Sequence, residues 1–186
     1  MLLDIITVLL ITPLASAIAL QPRRPAASGF INAHTWTNNA LGPTVGYLNA
    51  DGRLTSSSSS RAKFTLKEDE PWTASTSNGE CGFHDPNEPK NEESSGGVNW
   101  TAFRCKSGIQ IVGYPDQLGI DQTPTKLPDG TEVTYIYTQS GSGVNSLWFS
   151  VGLPAGTEAK DVFTRGPPGT ELGEGRVELR FVWESA

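Results

Sequence analysis

Histidine, cysteine and positive charge are all scarce in this chain, and each shortage excludes a class of chemistry. Its 186 residues include two histidines, two cysteines and one methionine. His34 and His84 cannot build a structural zinc site with Cys81 and Cys105 if those cysteines are bonded to each other, so no metal and no cofactor are expected. A Ser-His-Asp hydrolase needs a serine held against a histidine that a carboxylate orients. No GxSxG elbow occurs, and "SGSGVNS" (140–146) opens a strand with no helix behind it. His84–Asp85 is the one His–Asp neighbour pair; adjacent residues rarely point together, so it is read as a loop surface pair. Fourteen basic against twenty acidic residues give a net charge of −6. Such a surface repels nucleic-acid backbones and anionic membranes, and neither is an expected partner.

Long apolar runs are missing too. The longest, from Ile5 to Ile11, is far short of the roughly 20 residues that span a bilayer. It is followed by Thr12, Pro13 and the small-residue triplet Ala15, Ser16, Ala17, which is the pattern of a secretory signal peptide cut after Ala17. The expected mature protein is soluble, extracellular and not membrane-bound. Residues 18–28, with Arg23-Arg24 and several prolines and alanines, are read as a flexible lead-in, and residues 29–186 as one domain. An oxidising compartment makes a Cys81–Cys105 bridge the default pairing.

Helical periodicity is nearly absent, whereas period-two alternation rich in β-branched and aromatic residues recurs. The expected fold is therefore all-β: a single-domain antiparallel β-sandwich or β-barrel with long polar loops. Candidate strands are Gly29–Thr37, Thr44–Asn49, Arg53–Thr55, Ala62–Leu66, Val98–Arg104, Gly108–Tyr114, Glu132–Thr138, Ser146–Gly152 and Arg176–Trp183. In the last of these, Val177, Leu179, Phe181 and Trp183 form one apolar face and Arg176, Glu178 and Arg180 the other, which puts Trp183 in the core. Trp148 is assigned to the core on the same ground. The mixed faces of "EVTYIYT" (132–138) mark a central strand. Ser56–Ser60, residues 67–97 and Leu153–Gly175 read as loops, the serine run as a flexible connector with O-glycosylation as its functional reading.

Acidic residues offer candidates but no pattern. Asp116, Asp121, Asp129 and Glu132 could supply the two facing carboxylates of glycoside hydrolysis, whose separation a sequence does not give. Glu68-Asp69-Glu70 and Glu92-Glu93 lack calcium-loop spacing and read as solvated charge runs. Aromatic residues are the stronger signal. Trp72, after Pro71 in a polar loop, is the best candidate for an exposed stacking contact, with His84 and Trp100 as further candidate ligand contacts. "VNWTAFRC" (98–105) carries the sequon Asn99-Trp100-Thr101 on an alternating strand. If Asn99 bears a glycan it faces solvent, and Trp100 packs inward while Arg104 snorkels out; if not, Trp100 becomes an exposed stacking platform.

The order of features is a signal segment, an early "F…A.TW" strand (Phe30, Ala33, Thr35, Trp36), "KFTL" (63–66), a cysteine and "NWTAFRC" (99–105). Over residues 29–138 this resembles small secreted fungal β-barrel proteins, in particular the Alternaria-major-allergen-like family. The resemblance implies a non-enzymatic secreted protein that acts in host interaction, as an effector or an allergen. The expected function is binding of a host protein or a cell-wall glycan through loops and exposed aromatics. The alternative is a secreted carbohydrate-active or nucleolytic hydrolase; His34 and His84 invite comparison with the fungal guanyl-preferring ribonucleases, whose tyrosine-rich strand is missing here.

Overall fold

The computed structural model describes residues 28–67, 73–92, 101–111, 118–121, 123–140, 143–145, 147–165 and 171–186. β1 (Ser28–Thr37) turns back through Asn38 and Asn39 into β2 (Ala40–Leu48), and β3 (Leu54–Thr55) pairs with the end of β2. β4 (Phe64–Leu66), β5 (Ala74–Thr76), β6 (Gly79–Gly82) and β7 (Arg104–Lys106) follow one another outward from β1, each antiparallel to the last. β8 (Leu118–Ile120) and β9 (Thr125–Lys126) lie along β10 (Glu132–Ser140), whose far end folds onto β11 (Gly143–Asn145). β12 (Trp148–Val151) leads to β13 (Ala159–Lys160), which pairs with β3, and to β14 (Val162–Thr164), which pairs back with β12. β15 (Arg176–Ser185) runs between β1 on one edge and β12 and β10 on the other. The result is an all-β fold, one antiparallel sheet curled into a half barrel.

Alternation on the spine strands fills the inside of that curl. Leu179, Phe181 and Trp183 of β15 and Ile31 and Ala33 of β1 are buried, while Asn32, His34, Trp36, Glu178 and Arg180 lie half-buried on the opposite face. Trp148 sits at the centre, its ring 4.6 Å from Phe181, 5.5 Å from Phe83 and 5.9 Å from Phe103. Each such side chain removed from water contributes about 1.5 to 3 kcal/mol, so this aromatic cluster is a principal source of stability. Trp148 and Trp183 are core residues, as the alternation predicts, and β10 is central, with Tyr135, Ile136 and Thr138 all buried.

The polar segments hold more structure than their composition suggests. Within 67–97, Ala74–Thr76 and Gly79–Gly82 form a hairpin, and within Leu153–Gly175 lie β13 and β14. Val162, Phe163 and Thr164 are all buried, so β14 shows no alternation from which a strand could be read. The serine run is ordered: Ser58–Ser60 is a 3-10 turn whose neighbour Ser56 donates to the Gly156 carbonyl.

The candidate strand Val98–Arg104 is corrected. Residues 98–100 lie outside the described residues, and the strand there is Arg104–Lys106. The amides of Thr101, Ala102 and Phe103 donate to the carbonyls of Phe83, Pro89 and Val162 respectively, three separate segments instead of one ladder. Thr101 through Cys105 are all buried, so none of these five residues turns a face to water. Gly108–Ile111 is likewise turn and coil instead of strand, and 112–114 fall outside the described residues.

Candidate functional site

Cys81 and Cys105 face each other across β6 and β7 and form a disulfide with Cα atoms 3.9 Å apart. Gly52, with φ of 78°, packs against that bridge, and a Cβ there would lie 3.2 Å from the Cys105 sulfur. On either side of Cys105, Arg104 and Lys106 open a chain of charges. Lys106 Nζ reaches Asp85 Oδ2 at 2.6 Å and Glu88 Oε1 at 2.7 Å. Arg104 donates through Nε to Glu88 at 2.7 Å, through Nη2 to Asp161 at 2.7 Å and through Nη1 to the Phe103 carbonyl at 2.8 Å. Arg53 completes the chain, donating to Asp161 at 3.0 Å and to the Ala159 carbonyl at 2.6 Å. The Lys106 ammonium and then the Asn87 amide hold the Asp85 carboxyl below its ordinary range, and hydrogen bonds from Lys106 to Asp85 and Glu88 push the Lys106 ammonium up. Arg104 is only 8% exposed, so the network forms a rigid wall and not a loose surface pair.

That wall borders a cleft of about 440 Å³, a size suited to a small ligand or one end of a larger one. Phe149 of β12 and Phe163 of β14 stack at 5.2 Å beneath it, and Val151, 56% exposed, continues the apolar floor alongside Pro89. Around the floor stand Arg53, Lys90, Lys160 and Arg176 with Glu92, Glu158 and Asp161. Arg176 lies 5.5 Å from the Phe149 ring and bonds Glu92 at 3.1 Å, and Lys160 bonds Glu158 at 2.5 Å. Every carboxylate lining the cleft is thus in an ion pair, while the exposed Lys90 ammonium forms none among the described residues. The arrangement can hold a ligand by apolar contact and charge-assisted hydrogen bonds.

No family model, no curated protein and no solved structure matches the chain.

Of the site residues expected from sequence, Cys81 and Cys105 are brought together and sit behind the cleft wall. Trp72, Asn99 and Trp100 lie outside the described residues, as do Asp116, Glu68-Asp69-Glu70 and Glu93. His84 is half-buried just after β6. Its neighbour Asp85 is 7% exposed and tied to Lys106, which corrects the reading of a loop surface pair. Arg104 does not snorkel out: two carboxylates inside the fold hold it. His34 is engaged within the β1–β2 hairpin, Nδ1 to the Gly42 carbonyl at 3.0 Å and Nε2 to Thr44 at 3.3 Å. Asp129 caps its turn through the Thr131 amide, and Glu132 is exposed. Asp121 is half-buried; burial pushes its carboxyl up, opposed by the charge of Arg180. Among the described residues no three His, Cys, Asp or Glu side chains gather into a metal-holding group.

Sequence reasoning missed Arg53, Glu88, Lys90, Asp161 and Arg176 as site residues. Asp161 and Lys90 lie in segments read as loops, and the partners of Asp161, Arg104 and Arg53, are 57 and 108 positions away, so no local signal marks them. The only available hint was the heptapeptide "AKDVFTR" (159–165), in which charge flanks a short apolar run.

Proposed function

We propose that this is a secreted binding protein without a catalytic centre, which recognises a host protein or a cell-wall glycan and is effector- or allergen-like in role. The observation that carries the reading is the cleft: an apolar floor of Phe149, Phe163, Val151 and Pro89 inside a rim of side chains already arranged in ion pairs. Binding sites hold such preformed polar groups around an apolar surface. Glycoside hydrolysis instead needs one carboxyl held as an acid and a second poised across the bond, and the acids lining this cleft are each occupied by a cation. The apolar start of the chain, the sequon at Asn99 and the Cys81–Cys105 disulfide support export. The resemblance to the Alternaria-major-allergen-like family supports the role in host interaction.

A glycan array probed with the protein and with Val151→Asp tests the reading. The expected result is binding without release of reducing ends, weakened by the substitution. The competing hydrolase reading has one observation in its favour, the raised Asp121 carboxyl beside Tyr135 and Tyr137. Bond cleavage that Asp121→Asn abolishes would establish it in place of the binding module.

A further inference from the structure

The cleft differs in charge from the body that carries it. The chain as a whole has six more acids than bases, yet four cations face three acids at this site. The acids are also unequal. Asp161 is shared between Arg53 and Arg104, and Arg104, the buried part of the wall, does not itself line the cleft. The side chains of Glu92 and Glu158 are 80% and 54% exposed, and ion pairs that open to water hold weakly. Lys90, exposed, adds a cation with no carboxylate partner among the described residues. An anionic group entering the cleft therefore meets Arg53, Lys90, Lys160 and Arg176 at close quarters, of which Lys90 has no carboxylate partner among the described residues and Lys160 is paired with the exposed Glu158.

We propose that the cleft takes a carboxylated polysaccharide, a chain of uronic acid residues, and that its carboxylates seat against Lys90, Lys160 and Arg176. The proposal rests on reading the protein as a glycan-binding module and names the class of glycan. An acidic peptide would bring carboxylates as well, but its hydrogen-bond donors lie on the main chain, several bonds from each carboxylate. A uronic acid carries hydroxyl donors beside its carboxylate, so Glu92 and Glu158 accept from the hydroxyls while the cations bind the acid. The C–H face of a pyranose ring is apolar, and Val151 and Pro89 offer it an aliphatic surface. Guanidinium and ammonium groups around one cleft also draw an anionic chain from a distance, an effect that falls with salt.

The test is titration of the protein with polygalacturonate, with the same polymer after methyl esterification, and with a neutral glucan. Polygalacturonate is expected to bind, with affinity falling at least about tenfold between 50 and 500 mM salt. The esterified polymer and the glucan are expected to bind at least about tenfold more weakly. The double variant Lys90→Glu/Lys160→Glu, checked for an unchanged unfolding transition, is expected to lose about tenfold in affinity for polygalacturonate. Equal binding of the free and esterified polymers by the wild-type chain overturns the uronate assignment but leaves a glycan-binding module standing, as does an unchanged affinity of the double variant. Failure to bind any saccharide overturns both the assignment and the glycan reading, and release of reducing ends overturns the non-catalytic reading.

Discussion

Arg104 shows how much a single residue can carry. Its fork serves Glu88, Asp161 and a backbone carbonyl at once, and at 8% exposure it has given up nearly all contact with water. Breaking a buried pair on one side leaves carboxylates desolvated and under-partnered, which costs about 3 kcal/mol. Arg104→Met should lower stability by about that amount in urea unfolding. Arg104→Lys should recover only part of it, since an ammonium cannot reproduce the planar fork. Lys160→Met, which breaks a partly exposed pair with Glu158, should cost less than about 0.5 kcal/mol. An Arg104→Met variant as stable as the wild type would show that the network adds no net stability, as is known for some buried ion pairs.

Among the elements, the β6–β7 pair is where covalent and polar restraints meet. The disulfide closes a loop of 25 residues, from Cys81 to Cys105, that includes Asp85, Glu88, Pro89, Lys90 and Glu92. For that length the loop-closure relation gives roughly 3.5 kcal/mol of stabilisation. Replacing both cysteines with alanine should lower the unfolding free energy by about that amount and weaken ligand binding as well, because one wall of the cleft lies inside the bridged loop. Reduction of the native protein followed by calorimetry offers the same measurement without mutation. The elements also show what a sequence reader can and cannot see. β1 and β15 alternate over ten residues, long enough for period two to stand out, and β10 is a nine-residue run rich in β-branched and aromatic residues, so the sequence places all three within a residue or two. β5 and β6 are three and four residues of mostly Ser, Thr, Gly, Ala and Cys, too short and too polar to distinguish from a loop. The Thr101–Phe103 segment misled for the opposite reason: it alternates in composition but is buried on every side. Nothing local reveals that Asp161 belongs beside Arg104, since such pairs form only when the curl of the sheet brings distant segments together.

The whole molecule has a polarity of response to acid that follows from its titrating groups. Asp85 has a folded pKa below its unfolded value, because Lys106 and the Asn87 amide stabilise its charged form. Its contribution is present above the ordinary carboxylate pKa of about 3.9 and is lost as pH falls through the lower folded value. Asp121 behaves in reverse: burial raises its pKa, so ionisation disfavours the folded state above the ordinary value and protonation relieves that. The expected profile is a loss of thermal stability only at strongly acidic pH, with Asp121→Asn raising the midpoint near neutrality and losing its advantage below about pH 3.9. Lys106→Met should flatten the acid limb. Melting curves from pH 2 to pH 8 on the three proteins check this, and an acid limb unchanged by Lys106→Met would remove Asp85 from the explanation.

The pairing of β1 with β15, from Gly29 opposite Ser185 to Thr35 opposite Leu179, has a consequence in time as well as in space. The spine of the sheet is made from the first and last described strands, so its hydrogen bonds join parts of the chain separated by nearly the whole described length. In a nascent chain β1 can pair with β2 and β4 as they emerge, but the edge of β1 that β15 occupies stays open until residue 185 has left the ribosome. Folding is therefore late and dominated by distant contacts, which makes it slow compared with chains built from local pairings. The local β1–β2 and β4–β5–β6 pairs need only neighbouring segments, whereas the curl of the sheet closes only when the last described strand lies beside the first.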